Sequence, residues 1–284
     1  MEKTEYYNKS IFKTTHSSYT GGARKSIHFQ LDSGVRCLEF DIHCYNPLVT
    51  GFPVAEDFQL GHNKPNEEVS QAEDNPHSIR LSDWLDILVN WTKQNPDHAP
   101  ITLCLDIKEN FIRADPDFNL TLLNSRIHNK LNRRLYTHHD LINRNHGSLI
   151  GTDWPTVKEI VGKIIVVLTG DHDTKWMYWK TIALKDQSCF IAYSYEDDGE
   201  REYSTQMLSE AKFVNCRLDH WAWGKYQFEK GKLLRIWSFN PYYNSTGNFC
   251  LPTNYTQQGL ICNFPATDTP YEDWYNSAFN YYHY

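Results

Sequence analysis

Short apolar runs rich in β-branched residues recur along the chain, separated by polar or helix-patterned stretches. Ile101–Ile107 and Lys163–Thr169 are almost continuously apolar, which predicts strands buried on both faces. Further strands are predicted at Ile11–Thr15, Val35–His43, Phe58–Gly61, Phe190–Tyr195, Lys212–Cys216, Leu233–Phe239 and Leu260–Phe264. Roughly eight or nine strands with helices or long loops between them indicate a parallel sheet with crossover helices.

Helical spacing is clearest in Leu81–Gln94, for which Ser82 is the predicted N-cap. Asn119–Leu131 and Thr156–Val161 are also predicted helices. The strand count and the length of 284 residues favour an α/β fold, a closed and somewhat distorted (β/α)₈ TIM barrel, over an open doubly wound sheet. No glycine-rich loop follows an early strand, which weakens a nucleotide-binding alternative. Without a linker or repeat in the sequence, we expect one domain over residues 1–284.

Composition and charge narrow the functional classes. Hydrophobic residues make up 40% and charged residues 22%, as in ordinary globular proteins. The net charge of -7 and the lack of a dense Lys/Arg block argue against a nucleic-acid partner. No stretch approaches the ~20 apolar residues of a membrane span, and Met1–Lys13 lacks the apolar core of an export signal. We therefore expect a soluble protein, cytoplasmic unless a signal was removed for secretion.

Three acidic residues are predicted at the C-terminal ends of two strands, where the active sites of parallel barrels lie. Glu39 and Asp41 alternate along the second strand and so share one face, and Asp106 ends the fourth strand. Acids that point into a barrel need a cation, a basic partner or raised pKa values. An ion pair with Arg36 or Lys108 would meet this need. Three converging acids instead favour a hard cation such as Ca²⁺ or Mg²⁺.

Histidines stand close to the same strand ends. His16 follows the first predicted strand, His62 follows the third, and His43 shares a strand face with the two acids of the second. A single histidine after a strand is more often a surface or capping residue than a functional one. Imidazoles beside converging carboxylates would nevertheless suit acid–base chemistry near neutral pH.

Four motifs resemble, in order, those of phosphatidylinositol-specific phospholipase C X domains and their bacterial calcium-dependent relatives. Thr15–Tyr19 (Thr-His-Ser-Ser-Tyr) is similar to the Thr-His-Asn-Ser-Tyr opening of that family, and Gly34–Asp41 contains its glycine, arginine and Glu-x-Asp. Leu60–His62 resembles the stretch with the second catalytic histidine, and Leu103–Lys108 the strand with a further acidic ligand. These motifs lie within about the first 110 residues, and the later strands match the family only in style.

The resemblance implies a role for each candidate residue. His16 would contact the phosphate and stabilise its developing charge, and His62 would act as general acid on the leaving oxygen. The implied metal ligands are Glu39, Asp41, Asp106 and Ser17, and the implied substrate contacts are Lys108, Arg36 and His43. The implied cofactor is Ca²⁺. Ser17 stands where the family has an asparagine ligand, and because a serine hydroxyl is a shorter and poorer ligand, Mg²⁺ or no metal remain alternatives.

The implied activity is cleavage of phosphatidylinositol, or of a related inositol phosphodiester, through a cyclic inositol phosphate. One alternative is a glycerophosphodiester phosphodiesterase, whose usual His-Arg-Gly opening Ser17-Ser18 does not match; another is an inactive barrel that binds lipid or protein. We expect a monomer whose partner is a phospholipid or inositol phosphodiester. Aromatic clusters such as Trp221–Tyr226 either pack in the core or support transient contact with a membrane surface, and periodicity leaves both open.

Overall fold

Parallel strands form a closed barrel in the computed structural model, which describes residues 5–44, 57–111, 116–145, 154–197, 204–240, 242–243, 245–246, 249–250 and 262–268. The strands are β1 Thr14–Thr15, β2 Cys37–His43, β3 Gln59–Leu60, β4 Ile101–Ile107, β5 Ile164–Gly170, β6 Phe190–Ser194, β7 Phe213–Arg217, β8 Leu233–Trp237, β9 Tyr242–Tyr243, β10 Phe249–Cys250 and β11 Phe264–Thr267. Eight of them pair in the order β1, β2, β4, β5, β6, β7, β8 and β11, and β11 returns to β1 to close the ring. The predicted TIM barrel is confirmed.

Helices occupy the connections between the strands. They are α1 Ile27–Asp32, α2 Leu81–Gln94, α3 Pro116–Leu131, α4 His138–Arg144, α5 His172–Thr181, α6 Ser204–Glu210 and α7 Trp221–Glu229. The predicted helix at Thr156–Val161 is a 3₁₀ turn, Val157–Ile160, which Thr156 caps. Among the helices that the structure describes, none combines the length and the apolar character needed to cross a membrane.

The predicted N-cap of α2 is wrong. The helix begins at Leu81, so Ser82 lies in its first turn, and Arg80 occupies the cap position without a side-chain hydrogen bond. Asp57, from the preceding segment, accepts the Ser82 N–H at 3.1 Å. The carboxylate of Asp57, which is distant in sequence, therefore binds an N–H of the first helical turn in place of a local capping side chain.

The boundaries of most barrel strands follow the apolar pattern. For β2, β4, β5, β6, β7 and β8, the predicted and observed ends differ by two residues at most. The last predicted strand, Leu260–Phe264, falls partly outside the described residues, and β11 begins at Phe264. The apolar pattern therefore predicts the bounds of the buried strands more closely than those of the short closing strand, β11.

The predicted third barrel strand, Phe58–Gly61, needs a correction. In the structure β3 pairs antiparallel with the end of β2, with Leu60 opposite Ile42, and is not part of the ring. The helix that crosses between β2 and the next barrel strand is α2, which comes after β3. Because a parallel neighbour needs such a crossover, β3 lies within the connection from β2 to β4.

Alternation along β2 and β4 determines which residues face the inside of the barrel. Leu38, Phe40 and Ile42 belong to the core between strands and helices, whereas Cys37 and Cys104 belong to the core inside the barrel. Because successive side chains point to opposite faces, positions 39, 41 and 106 also face inward. They lie further along the strands than the two cysteines, towards the C-terminal mouth of the barrel.

Candidate active site

Three carboxylates converge inside the mouth of the barrel. Strands β2 and β4 pair in register with Asp41 directly opposite Asp106, and Glu39 precedes Asp41 on the same face. One oxygen from each of the three carboxylates lies within 4.8 Å of the other two. Glu39 and Asp41 are 4% and 2% exposed. The structure therefore brings the three predicted acids together and largely removes them from water.

Two basic side chains bind this carboxylate cluster, Glu39, Asp41 and Asp106. Arg235 Nη2 donates to Glu39 Oε2 at 2.6 Å. Lys108 Nζ lies 3.2 Å from Asp41 Oδ2 and 3.2 Å from Asp106 Oδ2. The cluster is thus partly neutralised by protein cations, one that the sequence suggested and one that it did not.

Burial and mutual repulsion shape the ionisation of the cluster. Burial raises the pKa of Asp41 to about 6, and the charges of Glu39 and Asp106 add to this effect against the opposing influence of Lys108. Burial also opposes ionisation of Glu39, but the Arg235 guanidinium keeps the pKa of Glu39 below its ordinary value. The two basic partners therefore do not fully neutralise the negative charge of the three carboxylates.

The donor set of this cluster fits a calcium ion. Ca²⁺ prefers six to eight oxygen ligands, mostly carboxylates, carbonyls and water. Glu39, Asp41 and Asp106 offer carboxylate oxygens close enough to share one ion. The fully buried hydroxyl of Tyr19 lies near Asp41 and makes no hydrogen bond of good geometry. Ser17 lies beside the cluster through its backbone, whose N–H donates to Glu39 Oε2 at 2.9 Å.

His62 is presented to the cluster on a tight loop that follows β3. Its Nδ1 lies 3.1 Å from Asp41 Oδ2, and its backbone N–H donates to the Glu67 carbonyl at 3.1 Å. Buried His43 donates from Nε2 to the Gly61 carbonyl at 2.9 Å, immediately before His62. The hydrogen bond from His43 therefore fixes the start of this loop, residues 61–67, which we call the His62 loop.

His16 reaches the cluster from the other side, at the end of β1. Its Nδ1 lies 2.9 Å from Asp268 Oδ1, and its Nε2 lies 3.8 Å from Glu39 Oε2. The ring stacks on Trp237, with the centroids 5.7 Å apart. Arg24 pairs with the same Asp268 carboxylate. Burial tends to lower the pKa of His16, but the carboxylates of Glu39 and Asp268 outweigh it and raise that pKa.

Arg36 is the candidate that the structure does not bring to the mouth. Its Nη1 donates to the Leu31 and Val35 carbonyls, both at 2.8 Å, and its guanidinium lies over the Trp91 ring at 4.9 Å. Arg36 precedes β2, so it lies at the opposite end of the barrel from the carboxylates. We therefore omit Arg36 from the substrate contacts.

Sequence reasoning missed several residues that complete the site. These are Arg235, Trp237, Asp268 and Arg24, which contact Glu39 or His16 directly or through one neighbour. One signal for Arg235 was available, because a single charged residue stands inside the apolar run of β8. A charge at such a position is unstable unless it is paired, which predicts an acidic partner inside the barrel.

The arrangement suits attack on a phosphodiester. Two imidazoles from separate loops flank one oxygen-rich cluster, His16 beside Glu39 and His62 beside Asp41. An imidazole can give a proton to a leaving oxygen or hydrogen-bond a phosphate oxygen. A cation held by the carboxylates can neutralise phosphate charge.

Comparison with protein families points the same way. The family described as Ca²⁺-dependent phosphoinositide phospholipase C matches residues 68–212, which is half of the chain. The matched segment includes Asp106 and Lys108, and the other proposed site residues of β1, β2 and the His62 loop precede it. A comparison with curated protein sequences gives no match.

Several solved structures have a similar fold, among them two bacterial enzymes. A calcium-dependent phosphoinositol-specific phospholipase C from Pseudomonas sp. has a TM-score of 0.67 and 20% identity, over 83% of this chain and 84% of that one. A Ca²⁺-dependent phosphatidylinositol-specific phospholipase C from Streptomyces antibioticus has a TM-score of 0.63 and 16% identity, over 82% of each chain. At these identities the likeness concerns the barrel fold.

Proposed function

Because the chain belongs to the Ca²⁺-dependent phosphoinositide phospholipase C family, we propose that it cleaves phosphatidylinositol at the carboxylate cluster. The observation that carries this proposal is the approach of two imidazoles to one cluster. His62 Nδ1 lies 3.1 Å from Asp41, and His16 Nε2 lies 3.8 Å from Glu39. An inactive barrel would have no need for this arrangement of proton donors and acidic ligands.

The proposed reaction is an intramolecular displacement at phosphorus. The 2-hydroxyl oxygen of the inositol ring forms a bond to phosphorus, and the bond from phosphorus to the diacylglycerol oxygen breaks. This yields a cyclic inositol phosphate and diacylglycerol. The attacking group is already tethered beside the phosphate, so the site has only to orient it and move protons.

We assign a residue to each step of this reaction. We assign His62, which is a third exposed at the mouth, as the general acid that protonates the diacylglycerol oxygen. His16, whose pKa is raised, favours the imidazolium and would donate to a phosphate oxygen while Asp268 holds its Nδ1. A carboxylate of the cluster would accept the proton of the ring hydroxyl. Glu39, Asp41 and Asp106 would hold Ca²⁺, which would supply positive charge to stabilise the deprotonated ring oxygen and the phosphate.

Of the two predicted substrate contacts at the mouth, His43 changes its role in this proposal and Lys108 keeps it. His43 is buried and donates to Gly61, so we assign it to positioning the His62 loop. Lys108 remains a proposed contact for the phosphate or the ring hydroxyls. Its side chain is 23% exposed at the mouth, and reaching a substrate requires it to leave Asp41 and Asp106.

Membrane contact, the monomeric state and the compartment stay predictions. The stretch after β8 places Tyr242, 47% exposed, beyond Trp237 at the mouth side of the barrel. A phospholipid substrate lies in a membrane, and exposed aromatic rings suit its interface. Transient contact through this side of the barrel is consistent with the proposed substrate.

Loss of the proposed general acid tests the reaction. His62→Ala should lower turnover of phosphatidylinositol by about a hundredfold or more, because proton transfer to the leaving group is lost. His77→Ala is the matched control, since His77 is exposed and outside the site. Thermal unfolding should show that both variants fold. A loss of less than tenfold in His62→Ala would remove His62 from the mechanism.

Substrate choice separates the proposed activity from its main alternative. Phosphatidylinositol, glycerophosphoinositol and glycerophosphocholine would be offered separately, each with Ca²⁺ or with a chelator. Release of cyclic inositol phosphate only with Ca²⁺ is the expected result. Cleavage of glycerophosphocholine instead would favour a glycerophosphodiester phosphodiesterase.

A further inference from the structure

Lys108 occupies the space between two of the three proposed metal ligands. Its ammonium nitrogen lies 3.2 Å from Asp41 Oδ2 and 3.2 Å from Asp106 Oδ2. Calcium binds carboxylate oxygens at about 2.3–2.6 Å. An ion that used these two oxygens would meet the ammonium at close range, and two cations repel each other there.

The position of Lys108 follows from the fold. The residue comes directly after β4, and its N–H donates to the Ile42 carbonyl at 3.1 Å. Lys108 is two residues beyond Asp106, so both side chains leave the same side of the chain. The side chain is 23% exposed, which leaves solvent-accessible space for its flexible stem. The ammonium can therefore reach the carboxylates and can also leave them.

Arg235, the other basic partner of the cluster, is held differently. Its guanidinium is 4% exposed and binds both Glu39, at 2.6 Å, and Asn215, at 2.8 Å. A planar guanidinium with two partners inside the barrel would lose both hydrogen bonds if it moved. Of these two cations, Lys108 is the exchangeable one.

Charge balance favours an exchange over simple addition of a metal. The cluster carries three carboxylates, and Lys108 and Arg235 supply two positive charges. If a divalent ion replaced the ammonium, the ion and Arg235 together would balance the three carboxylates. If the ammonium stayed, positive charge would be in excess in a buried space, with His16 and His62 also adjacent.

We propose that Lys108 is a resident counter-ion of the carboxylate cluster, that Ca²⁺ must displace it to bind, and that Lys108 thereby sets the calcium affinity. This inference rests on the proposed function, because it takes Glu39, Asp41 and Asp106 as the calcium ligands. Displacement frees the ammonium of Lys108 at the mouth, where a phosphate would approach. Calcium binding would then both fill the cluster and release a substrate contact.

Calorimetric titration with CaCl₂ tests this exchange on the full chain after metal removal by a chelator. Lys108→Met keeps an unbranched, flexible side chain, one atom shorter, and removes its charge. This variant should bind Ca²⁺ at least tenfold more tightly than the wild type. The metal-free variant should also unfold at a lower temperature, and CaCl₂ should raise its Tm by more than it raises that of the wild type. Lys108→Gln serves as the second variant if Lys108→Met does not fold.

Lys64→Met is the matched control. It makes the same change in net charge on the His62 loop, but the Lys64 side chain is exposed. Its calcium affinity should stay within twofold of the wild type. An equal gain in Lys64→Met would mean that general electrostatics, and not exchange at the cluster, accounts for the effect.

The outcomes separate this inference from the proposed function. An unchanged or weaker affinity in Lys108→Met, with calcium binding in the wild type, would overturn the exchange and leave the phospholipase proposal standing. Tighter binding in Lys108→Met, together with no cleavage of phosphatidylinositol by the wild type, would support the exchange and count against the proposed function. If neither protein bound Ca²⁺, the proposed metal site and the exchange would both fall.

Discussion

A single methyl group at Gly61 should disable the site without unfolding the protein. A Cβ at this position would lie 2.0 Å from the Lys64 carbonyl oxygen and 2.8 Å from the Asn66 nitrogen, both in the backbone of the His62 loop. Real Cβ atoms keep at least 3.0 Å from such neighbours, so the loop must move by about 1 Å. A displacement of about 1 Å at a catalytic group can cost about a hundredfold in rate. This corresponds to about 2.7 kcal/mol in the activation barrier.

The assay for Gly61→Ala is turnover of phosphatidylinositol at saturating Ca²⁺, with thermal unfolding measured in parallel. Overpacking of this kind costs about 1–3 kcal/mol of stability, so the variant should fold. Gly231→Ala is the matched control. Gly231 has a φ of +87°, so an alanine is strained at this position, although its Cβ would meet nothing within 4 Å. Gly231 lies in the connection between α7 and β8, away from the mouth of the barrel. The control should lose stability and keep its activity. If Gly61→Ala retained turnover within threefold of the wild type, the loop would not position His62 as we describe.

Three further predictions follow from contacts at the mouth. Arg235→Met should lower the free energy of unfolding in chelator by about 3–5 kcal/mol, because it leaves the buried Glu39 carboxylate without its partner. Urea titration measures this free energy. A loss below about 1 kcal/mol would show that Arg235 and Glu39 are not buried as a unit. His43→Leu should lower turnover about tenfold because the His62 loop loses a donor, and His43→Gln, which can donate to the same carbonyl, should recover most of it. Equal losses in both variants would mean that the hydrogen bond to Gly61 is not the reason. In metal-free protein, burial raises the pKa of Asp41 to about 6, from about 3.9 for an aspartate in an unfolded chain. Native Asp41 therefore holds its proton longer than the unfolded chain does, and stability relative to Asp41→Asn should fall as pH rises through this window. A difference that stays constant or rises with pH would contradict the raised pKa.

The acidic half of the site could be predicted from the sequence because it depends on local alternation. Glu39 and Asp41 are two residues apart on a buried strand, which places them on one face whatever the partner strand. Asp106 ends another apolar run, and the parallel register of β2 and β4 then sets it opposite Asp41. A strand pattern and the geometry of parallel barrels were sufficient for this part.

The rest of the site depends on closure of the barrel, which no local pattern encodes. Asp268 lies 252 positions from His16 in the chain, and the two meet because β1 pairs with β11, with Thr15 opposite Thr267. Arg235 lies 196 positions from Glu39 and crosses the interior of the barrel to reach it. Such contacts follow from strand order and register around the ring. The four motifs in the first part of the chain do not specify these contacts.

The position of β3 shows the same limit. Phe58–Gly61 has the composition of a strand, and the sequence does not reveal whether it joins the ring or pairs at its rim. The hairpin-like pairing with β2 nevertheless delivers His62 to Asp41. His62 therefore lies beside Asp41 through a strand at the rim of the barrel, and not through the barrel strand that the sequence suggested.

The central claim is that this carboxylate cluster and its two histidines cleave phosphatidylinositol with the help of Ca²⁺. Phosphorus NMR of phosphatidylinositol vesicles incubated with the full chain tests it directly. We predict that the signal of the cyclic inositol phosphate grows with Ca²⁺ present, stops when a chelator is added and resumes when Ca²⁺ is returned. An unchanged phosphatidylinositol signal at every Ca²⁺ concentration, or cyclic product formed equally fast in chelator, would contradict the account.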